Sequence, residues 1–291
     1  MASILGDLRR DFHQELLGSI LRIDGKGHAT NADSDNDLSV RVAALLASKV
    51  GAVAGEDREK GQSSGVKFEA ICARFLRSAL EKLRHVRPGE WFVGTASELQ
   101  ITGIGGYAQY KHLLYLAEAT KKDAELAAAL GRDYEVAPDL VVARAPLPDE
   151  FINANGEAFV DDAVAEYTAL RAANSQSRLL HAVVSCKWTM RSDRAQNSRT
   201  EALNLLRNRK GRAPGIVVIT GEPVASRIGS LALGTGDIDC TYHFALPELI
   251  ASYEELARSA KKFQQALDSL KAMVQGQRLM DISDLPLDLV S

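Results

Sequence analysis

The sequence predicts an α/β fold with a central sheet flanked by helices, and three consecutive segments carry this prediction. Residues 180–189 and 215–220 are apolar runs typical of strands, and residues 192–208 between them have the pattern of a helix. A strand–helix–strand order requires a crossover connection, which places a helix on a face of the sheet. No Pro-, Gly- or Ser-rich linker divides the 291 residues, so we expect one domain over 1–291.

The other predicted elements surround this unit. Apolar residues at helical spacing predict helices over residues 1–20, 38–46, 63–83, 110–129 and 249–274. A short strand over 138–142 begins at a proline. Residues 144–178 have the pattern of an irregular insertion, and 281–291 that of an extended tail.

Composition excludes several classes of protein. The chain is 46% hydrophobic and 25% charged, as in ordinary globular proteins, and no apolar run reaches the ~20 residues that span a bilayer, so we expect no membrane partner. Cys72, Cys186 and Cys240 lie far apart without a C-x-x-C pair, which indicates neither a disulfide framework nor a zinc site. We therefore expect a cytoplasmic protein.

Positive charge is concentrated in one segment. Residues 187–212 contain eight Lys or Arg and two acidic residues, a net charge of +6, whereas the whole chain carries −3. A local basic stripe attracts phosphate even on an acidic protein, because attraction depends mainly on nearby charge. The alternative is a solvated helix face.

Lys187 lies on a predicted strand whose other residues are mostly apolar. Side chains alternate along a strand, so Ser185 and Lys187 share one face, while Cys186 points to the other face with Val184 as a packed thiol. An ammonium group is costly in such surroundings unless it has a partner. Lys187 is therefore either half of a structural salt bridge or a lysine directed at a phosphate or a metal-bound water.

Three carboxylates are candidate partners of this lysine. Asp139 begins the strand 138–142, although alone it could be a turn aspartate. Glu201 lies two turns into the helix after the lysine strand, and could either point back to the strand or pair with a surface arginine. Glu69 borders the apolar face of the helix 63–83, either as a surface charge or as a site residue.

Asp139, Lys187 and a further carboxylate together describe a divalent-cation site for phosphodiester hydrolysis. Hard oxygen ligands hold Mg²⁺, and a lysine stabilises or deprotonates the attacking water. The pattern resembles Asp…(Asp/Glu)-x-Lys, with Ser185 at the position of the middle carboxylate. Four residues after the lysine come Arg191, Asp193 and Arg194 at a helix start, and such side chains suit G·C pairs in a major groove.

These motifs resemble the NgoMIV type II restriction endonucleases of the PD-(D/E)xK nuclease superfamily. The resemblance covers most of the chain, and it is carried by S-C-K-W-T-x-R-S-D-R-A-Q-N-x-R-x-E (185–201), N-R-K-G-R (208–212), D-I-S-D-L-P-L-D-L (281–289), G-Q-x-S-G-x-x-F-E-A-I-C (61–72), A-A-A-L-G-x-D-Y (127–134) and A-L-G-T-G-x-I-D-C-x-Y-H-F-A-L (232–246). It implies a restriction-endonuclease-like fold with a central mixed sheet.

The resemblance also implies roles for the site residues. Asp139, the main-chain carbonyl of Cys186 and Glu201 would hold Mg²⁺, Lys187 would be the catalytic lysine, and Glu69 would be an additional acid. Because Glu201 supplies a carboxylate from the helix, the strand can carry Ser185 in its place. The expected reaction is double-strand DNA cleavage that leaves 5′-phosphates and staggered ends.

The resemblance further implies how DNA is read. Arg191, Asp193 and Arg194 would read a CCGG core, and Arg227 and Gln62 would read the flanking pair of GCCGGC. Asp33 and Asp35 would be further DNA-binding residues. One position departs from the family, because Asp35 stands where a base-reading serine is expected.

The family pattern implies a homotetramer that binds two copies of double-stranded DNA. It also implies a cognate DNA methyltransferase that acts on the same site without forming a stable complex. A catalytically silent DNA-binding protein of the same fold is the alternative function.

Overall fold

One mixed β-sheet forms the centre of the structure, a computed structural model that describes residues 3–53, 61–95, 98, 103–130, 138–154, 156–190, 192–234 and 236–291. For residues 61–63, 130 and 192–195 only the backbone is described. The strands within these ranges are β1 (Trp91–Thr95), β2 (Leu140–Arg144), β3 (Leu179–Lys187), β4 (Gly215–Thr220), β5 (Cys240–His243) and β6 (Leu279–Asp281).

The strands lie in the sheet in their chain order, and their directions make the sheet mixed. β2 is antiparallel to both β1 and β3, whereas β3, β4, β5 and β6 run parallel to one another. Leu140 pairs with Val184, and Lys187 pairs with Thr220. This register places the start of β2 beside the end of β3, where the candidate site lies.

Helices surround the sheet. Those in the described ranges are α1 (Ile4–Ser19), α2 (Asp37–Val50), α3 (Gly61–Lys82), α4 (His112–Lys122), α5 (Ala124–Leu130), α6 (Asp149–Ile152), α7 (Ser192–Asn208), α8 (Ala225–Ala232), α9 (Leu246–Ala257), α10 (Lys261–Gln275) and α11 (Leu285–Val290). α3 packs against β1 and β3, and α10 packs against β6 and α8. Neighbouring residues Val183 and Val184 are both buried, as expected for a strand covered on both faces.

The predicted α/β fold with a central sheet is confirmed, and β4 has the predicted bounds. The prediction of one helix over 110–129 is wrong. The chain forms α4 and α5 instead, because the backbone of Asp123 is extended and its carboxylate accepts a hydrogen bond from the Leu126 N–H. Residues 249–274 are mainly helical, as predicted, and the extended backbone of Ala260 separates α9 from α10 within them.

The prediction of an extended tail over 281–291 is wrong as well. The chain enters this region through β6 and then forms α11, in which Leu285 and Leu289 lie one turn apart and are both buried. Their burial against the rest of the core stabilises a helix that is too short to be stable alone.

Contacts between distant parts of the chain are consistent with the prediction of one domain over 1–291, which stays a prediction. The guanidinium of Arg9 in α1 lies 2.7 Å from Glu248 in α9 and 2.8 Å from Asp281 in β6. Cys72, Cys186 and Cys240 are free and buried. Within the described part of the chain, no helix has the length and apolar character needed to cross a membrane.

Candidate active site

The junction of β2 and β3 gathers the predicted catalytic residues. Asp139 directly precedes β2, and the antiparallel register carries its carboxylate past Val184 to the last residues of β3. Pro138, the residue before it, has no N–H to pair, as is common where a strand begins. The sheet therefore brings together Asp139 and Lys187, which are 48 residues apart in the sequence.

One oxygen of Asp139 receives three donors from β3. The Oδ2 atom accepts hydrogen bonds from the Cys186 N–H at 2.7 Å, the Lys187 Nζ at 2.7 Å and the Ser185 Oγ at 3.3 Å. The other oxygen, Oδ1, has no hydrogen-bond partner among the described residues. Charge-assisted contacts of this kind fix the orientation of the carboxylate, so the β3 donors hold one oxygen and leave the second free for a cation.

Lys187 is fixed on two sides. Its ammonium group contacts Asp139, and the side chains of the pair are 17% and 22% exposed, so solvent reaches both. Its carbonyl accepts hydrogen bonds from the Gly221 N–H at 3.0 Å and the Thr220 Oγ at 2.9 Å. The ion pair is the contact that a structural role would require, but its position at the solvent-accessible end of β3, beside further acids, also suits catalysis.

Helix α7 brings Glu201 to the same place. Ser198, which is 4% exposed, lies 3.2 Å from the Ser185 hydroxyl, and Glu201 follows three residues later on the same helix face. Burial raises the pKa of Glu201, while Lys187 lowers it and Asp139 raises it further. Glu201 therefore points back to the strand, whereas the nearby Arg199 lies 3.8 Å from Asp237.

Glu69 approaches from helix α3 on the other side of the strand end. The neighbouring Phe68 packs on Trp188 with ring centroids 5.1 Å apart, which fixes this turn of the helix against the residues after Lys187. Burial raises the pKa of Glu69 to about 7, and the charge of Asp139 raises it while that of Lys187 lowers it. Glu69 is thus partly buried and within electrostatic reach of both residues.

The donors at this site fit a hard divalent cation. Three carboxyl groups face one lysine, so an ionised site has excess negative charge, and oxygen is the donor that Mg²⁺ prefers. The Cys186 N–H points to Asp139. The N–H and C=O of one strand residue point toward the same neighbouring strand, so the Cys186 carbonyl also faces β2 and Asp139.

Side chains alone do not form a metal-binding group in the described residues. In the parts of the chain that the structure describes, no three His, Cys, Asp or Glu side chains form a group that could hold a metal ion. The predicted ligand set does not need such a group, since it combines the carboxylates of Asp139 and Glu201 with the main-chain carbonyl of Cys186.

The candidate base-reading segment follows β3 directly. Arg191 lies outside the described residues, and Asp193 and Arg194 lie in the first turn of α7, where only the backbone is described. Gln62 likewise lies in the first turn of α3 without a described side chain. The structure therefore gives the position of these turns, and the base-reading roles stay predictions.

The remaining recognition candidates lie together beside this segment. The Arg227 guanidinium in α8 forms an ion pair with Asp33, and its Nη1 donates to the Met190 carbonyl at 3.3 Å. Asp35 is exposed, and its N–H donates to the Asp33 Oδ1 at 3.3 Å. The loop 31–36 is thus joined to α8 next to the start of α7.

Two residues of this region were not predicted from the sequence. Ser198 could have been found by its spacing of three residues from Glu201 on the predicted helix. Glu222 follows the buried strand β4 and is 1% exposed, and its Oε2 accepts a hydrogen bond from the Met190 N–H at 2.8 Å. The sequence signal that could have revealed Glu222 is an acid two residues after the end of a predicted buried strand.

Comparisons with known proteins show which family this chain resembles over its length. The family model described as NgoMIV restriction enzyme matches residues 12–291. The type II restriction enzyme NgoMIV of Neisseria gonorrhoeae is 52% identical over 282 residues, which cover 97% of this chain and 96% of that enzyme. These matches confirm the resemblance found in the motifs. The chain belongs to the NgoMIV restriction enzyme family of site-specific DNA endonucleases.

Proposed function

We propose that this protein is a Mg²⁺-dependent type II restriction endonuclease that cleaves both DNA strands at a palindrome with a CCGG core, GCCGGC. The observation that carries the proposal is the carboxylate of Asp139, with Oδ2 held by Lys187 and β3 and with Oδ1 free among the described residues. Glu69 and Glu201 add acidic groups from the two flanking helices.

The residues divide the hydrolysis between them. Asp139, the Cys186 carbonyl and Glu201 would hold Mg²⁺, which when bound withdraws charge from the phosphate and lowers the pKa of a water. Lys187 lies beside Asp139 and would orient the attacking water or accept its proton. Ser185 would keep α7 and Asp139 in register through its two hydrogen bonds. The reaction would leave 5′-phosphates and staggered ends.

Recognition would use the segment that follows the catalytic strand. Arg191 and Arg194 would bind guanine O6 and N7, and Asp193 would accept from cytosine N4, which together suit a CCGG core. The joined residues Arg227 and Asp33 lie next to Met190 and would read the outer pair together with Gln62 and Asp35.

We further propose that the enzyme is a homotetramer. The segment 144–178 exposes large apolar side chains, with Tyr167 95% and Phe159 80% exposed, while Arg171 is only 3% exposed and pairs with Asp149. A well-anchored segment that presents apolar rings to solvent is typical of an interaction surface. Sedimentation analysis tests this, and replacement of Phe159 and Tyr167 by serine is expected to give smaller assemblies.

The enzyme is expected to act in the bacterial cytoplasm on foreign DNA. A methyltransferase acting on the same sequence would protect the host, without a stable complex with this chain. Methylated and unmethylated duplexes compared in a cleavage assay test that expectation.

The decisive experiment is digestion of a random-sequence DNA library with and without Mg²⁺, followed by sequencing of the ends. Cleavage at GCCGGC only with the metal supports the proposal, and the ends report the cut position. Binding to a CCGG duplex without cleavage under any divalent metal would instead support the silent DNA-binding alternative. Cleavage at damaged or branched DNA alone would contradict both.

A further inference from the structure

The turn after β4 contacts the end of β3, the residue before Arg191, the loop 31–36 and Arg227. Within residues 220–222, Thr220 and Gly221 hold the Lys187 carbonyl. The Gly221 carbonyl accepts a hydrogen bond from the Asn31 side-chain amide at 2.8 Å, which fixes the loop 31–36. This turn therefore joins the end of the catalytic strand to one of the loops proposed to meet DNA.

Glu222 is the only acid of this turn, and it is almost fully buried. It is 1% exposed, and its two oxygens accept hydrogen bonds from different N–H groups, Oε2 from Met190 at 2.8 Å and Oε1 from Val224 at 3.1 Å. A buried carboxyl is costly unless such donors satisfy it. The bond to Met190 crosses from the turn to the residue that directly precedes Arg191.

Glu222 also lies beside the second recognition element. The Arg227 Nη1 is 3.8 Å from the Glu222 Oε1 and donates to the Met190 carbonyl. Met190 is thus held through its N–H by Glu222 and through its carbonyl by Arg227. The same Arg227 is paired with Asp33. A displacement of Glu222 would therefore move the start of α7 and the Arg227 guanidinium together.

We propose that Glu222 is a positioning residue for sequence recognition, which fixes the backbone before Arg191 and the guanidinium of Arg227 in one arrangement and so couples the reading of inner and outer base pairs. This inference rests on the proposed function. The side chain of Glu222 contacts Met190, Val224 and Arg227 among the described residues, so it acts through the residues proposed to touch DNA and is not itself a catalytic residue.

The test compares Glu222→Gln with Glu222→Ala. Glutamine keeps the size and one acceptor oxygen, so it tests the proposal even where the alanine variant fails to fold. We measure kcat/KM on GCCGGC, on a duplex with a changed outer pair and on one with a changed inner pair. Preference for GCCGGC over both altered duplexes is expected to fall about tenfold, the effect of one charge-assisted hydrogen bond. Ca²⁺ affinity is expected to be unchanged.

Asp281→Asn is the matched control. Asp281 is also a buried carboxylate that accepts backbone N–H groups, from Leu246 and Ser283 at 3.0 Å each, and pairs with an arginine, Arg9. Even where Asp281→Asn lowers the Tm as much as the Glu222 variants do, it is expected to keep the wild-type sequence preference.

The outcomes separate the inference from the proposed function. If the wild type cuts site-specifically and both Glu222 variants keep its sequence preference, the inference alone is overturned. Glu222 would then have only a structural role. An equal loss of preference in Asp281→Asn would overturn it too, because general loosening would then explain the effect. A wild type that cuts DNA without any sequence preference would overturn the proposed function and this inference with it.

Discussion

The proposed binding of Mg²⁺ at the candidate site is expected to depend on the protonation of Glu69, whose pKa burial raises to about 7. A carboxyl with a raised pKa keeps its proton in the folded, metal-free protein, whereas the unfolded chain releases it near pH 4.5. The contribution of Glu69 to the stability of the metal-free protein therefore falls as pH rises from about 4.5 to about 7. A cation favours the ionised form, so its affinity is expected to rise as the pH rises through the folded-state pKa of about 7.

The size of the effect follows from the pKa. A group with a pKa of about 7 is roughly a tenth ionised at pH 6 and nine-tenths ionised at pH 8. If the cation requires the ionised form, its apparent affinity is about tenfold weaker at pH 6 than at pH 8, and binding at pH 6 releases close to one proton. The pKa of Glu201 is raised as well, which adds to the effect in the same direction.

Isothermal titration of Mg²⁺ at pH 6 and pH 8 measures this, with two buffers of different ionisation enthalpy to count protons. Glu69→Gln is expected to remove most of the pH dependence. Glu81→Gln is the control, because Glu81 is exposed on the same helix and pairs with Arg84. Equal affinity at both pH values, or the same pH dependence in Glu69→Gln as in the wild type, would refute the reasoning.

Other substitutions test the site and the turn beside it. Lys187→Ala is expected to keep specific binding, measured by gel shift in Ca²⁺, and to lose about 10²–10⁴-fold in cleavage rate; loss of both would indicate a structural lysine. Gly221→Ala would place a Cβ 2.5 Å from the Trp188 ring and 2.7 Å from its carbonyl. It is expected to lower the free energy of unfolding by about 1–3 kcal/mol, and an unchanged thermal midpoint would contradict this. Arg227→Ala is expected to keep CCGG cleavage and lose outer-pair preference about tenfold, as read from the library digest; retained preference would exclude Arg227 as the reader.

A strand with a continuous apolar run was predicted well, whereas the shortest strands and the breaks within helical regions were not. β4 was found at its bounds because every residue from Ile216 to Thr220 is buried, which leaves a continuous apolar run. β5 and β6 have four and three residues, too few to show a period. The breaks at Asp123 and Ala260 depend on local backbone geometry that helical spacing does not reveal.

The site was predicted in part because its residues belong to recognisable elements. Asp139 and Lys187 were proposed as partners from a strand start and a strand end, and the structure joins them at 2.7 Å. Glu222 was missed, since its role depends on a contact with Met190 across 32 residues. Only the register of the sheet and the turn after β4 create that contact.

The sequence by itself determined the chemistry available to this protein: the acids, the lysine, the basic segment and the motifs that identify its family. These features can be read from the sequence because they depend on residue types and on short spacings along the chain. The tertiary structure alone decided which oxygen of Asp139 is held and which is left free, and that one buried carboxyl, Glu222, touches the backbone before Arg191. These are long-range contacts, and they form only after the sheet has fixed its register and the helices have packed on it.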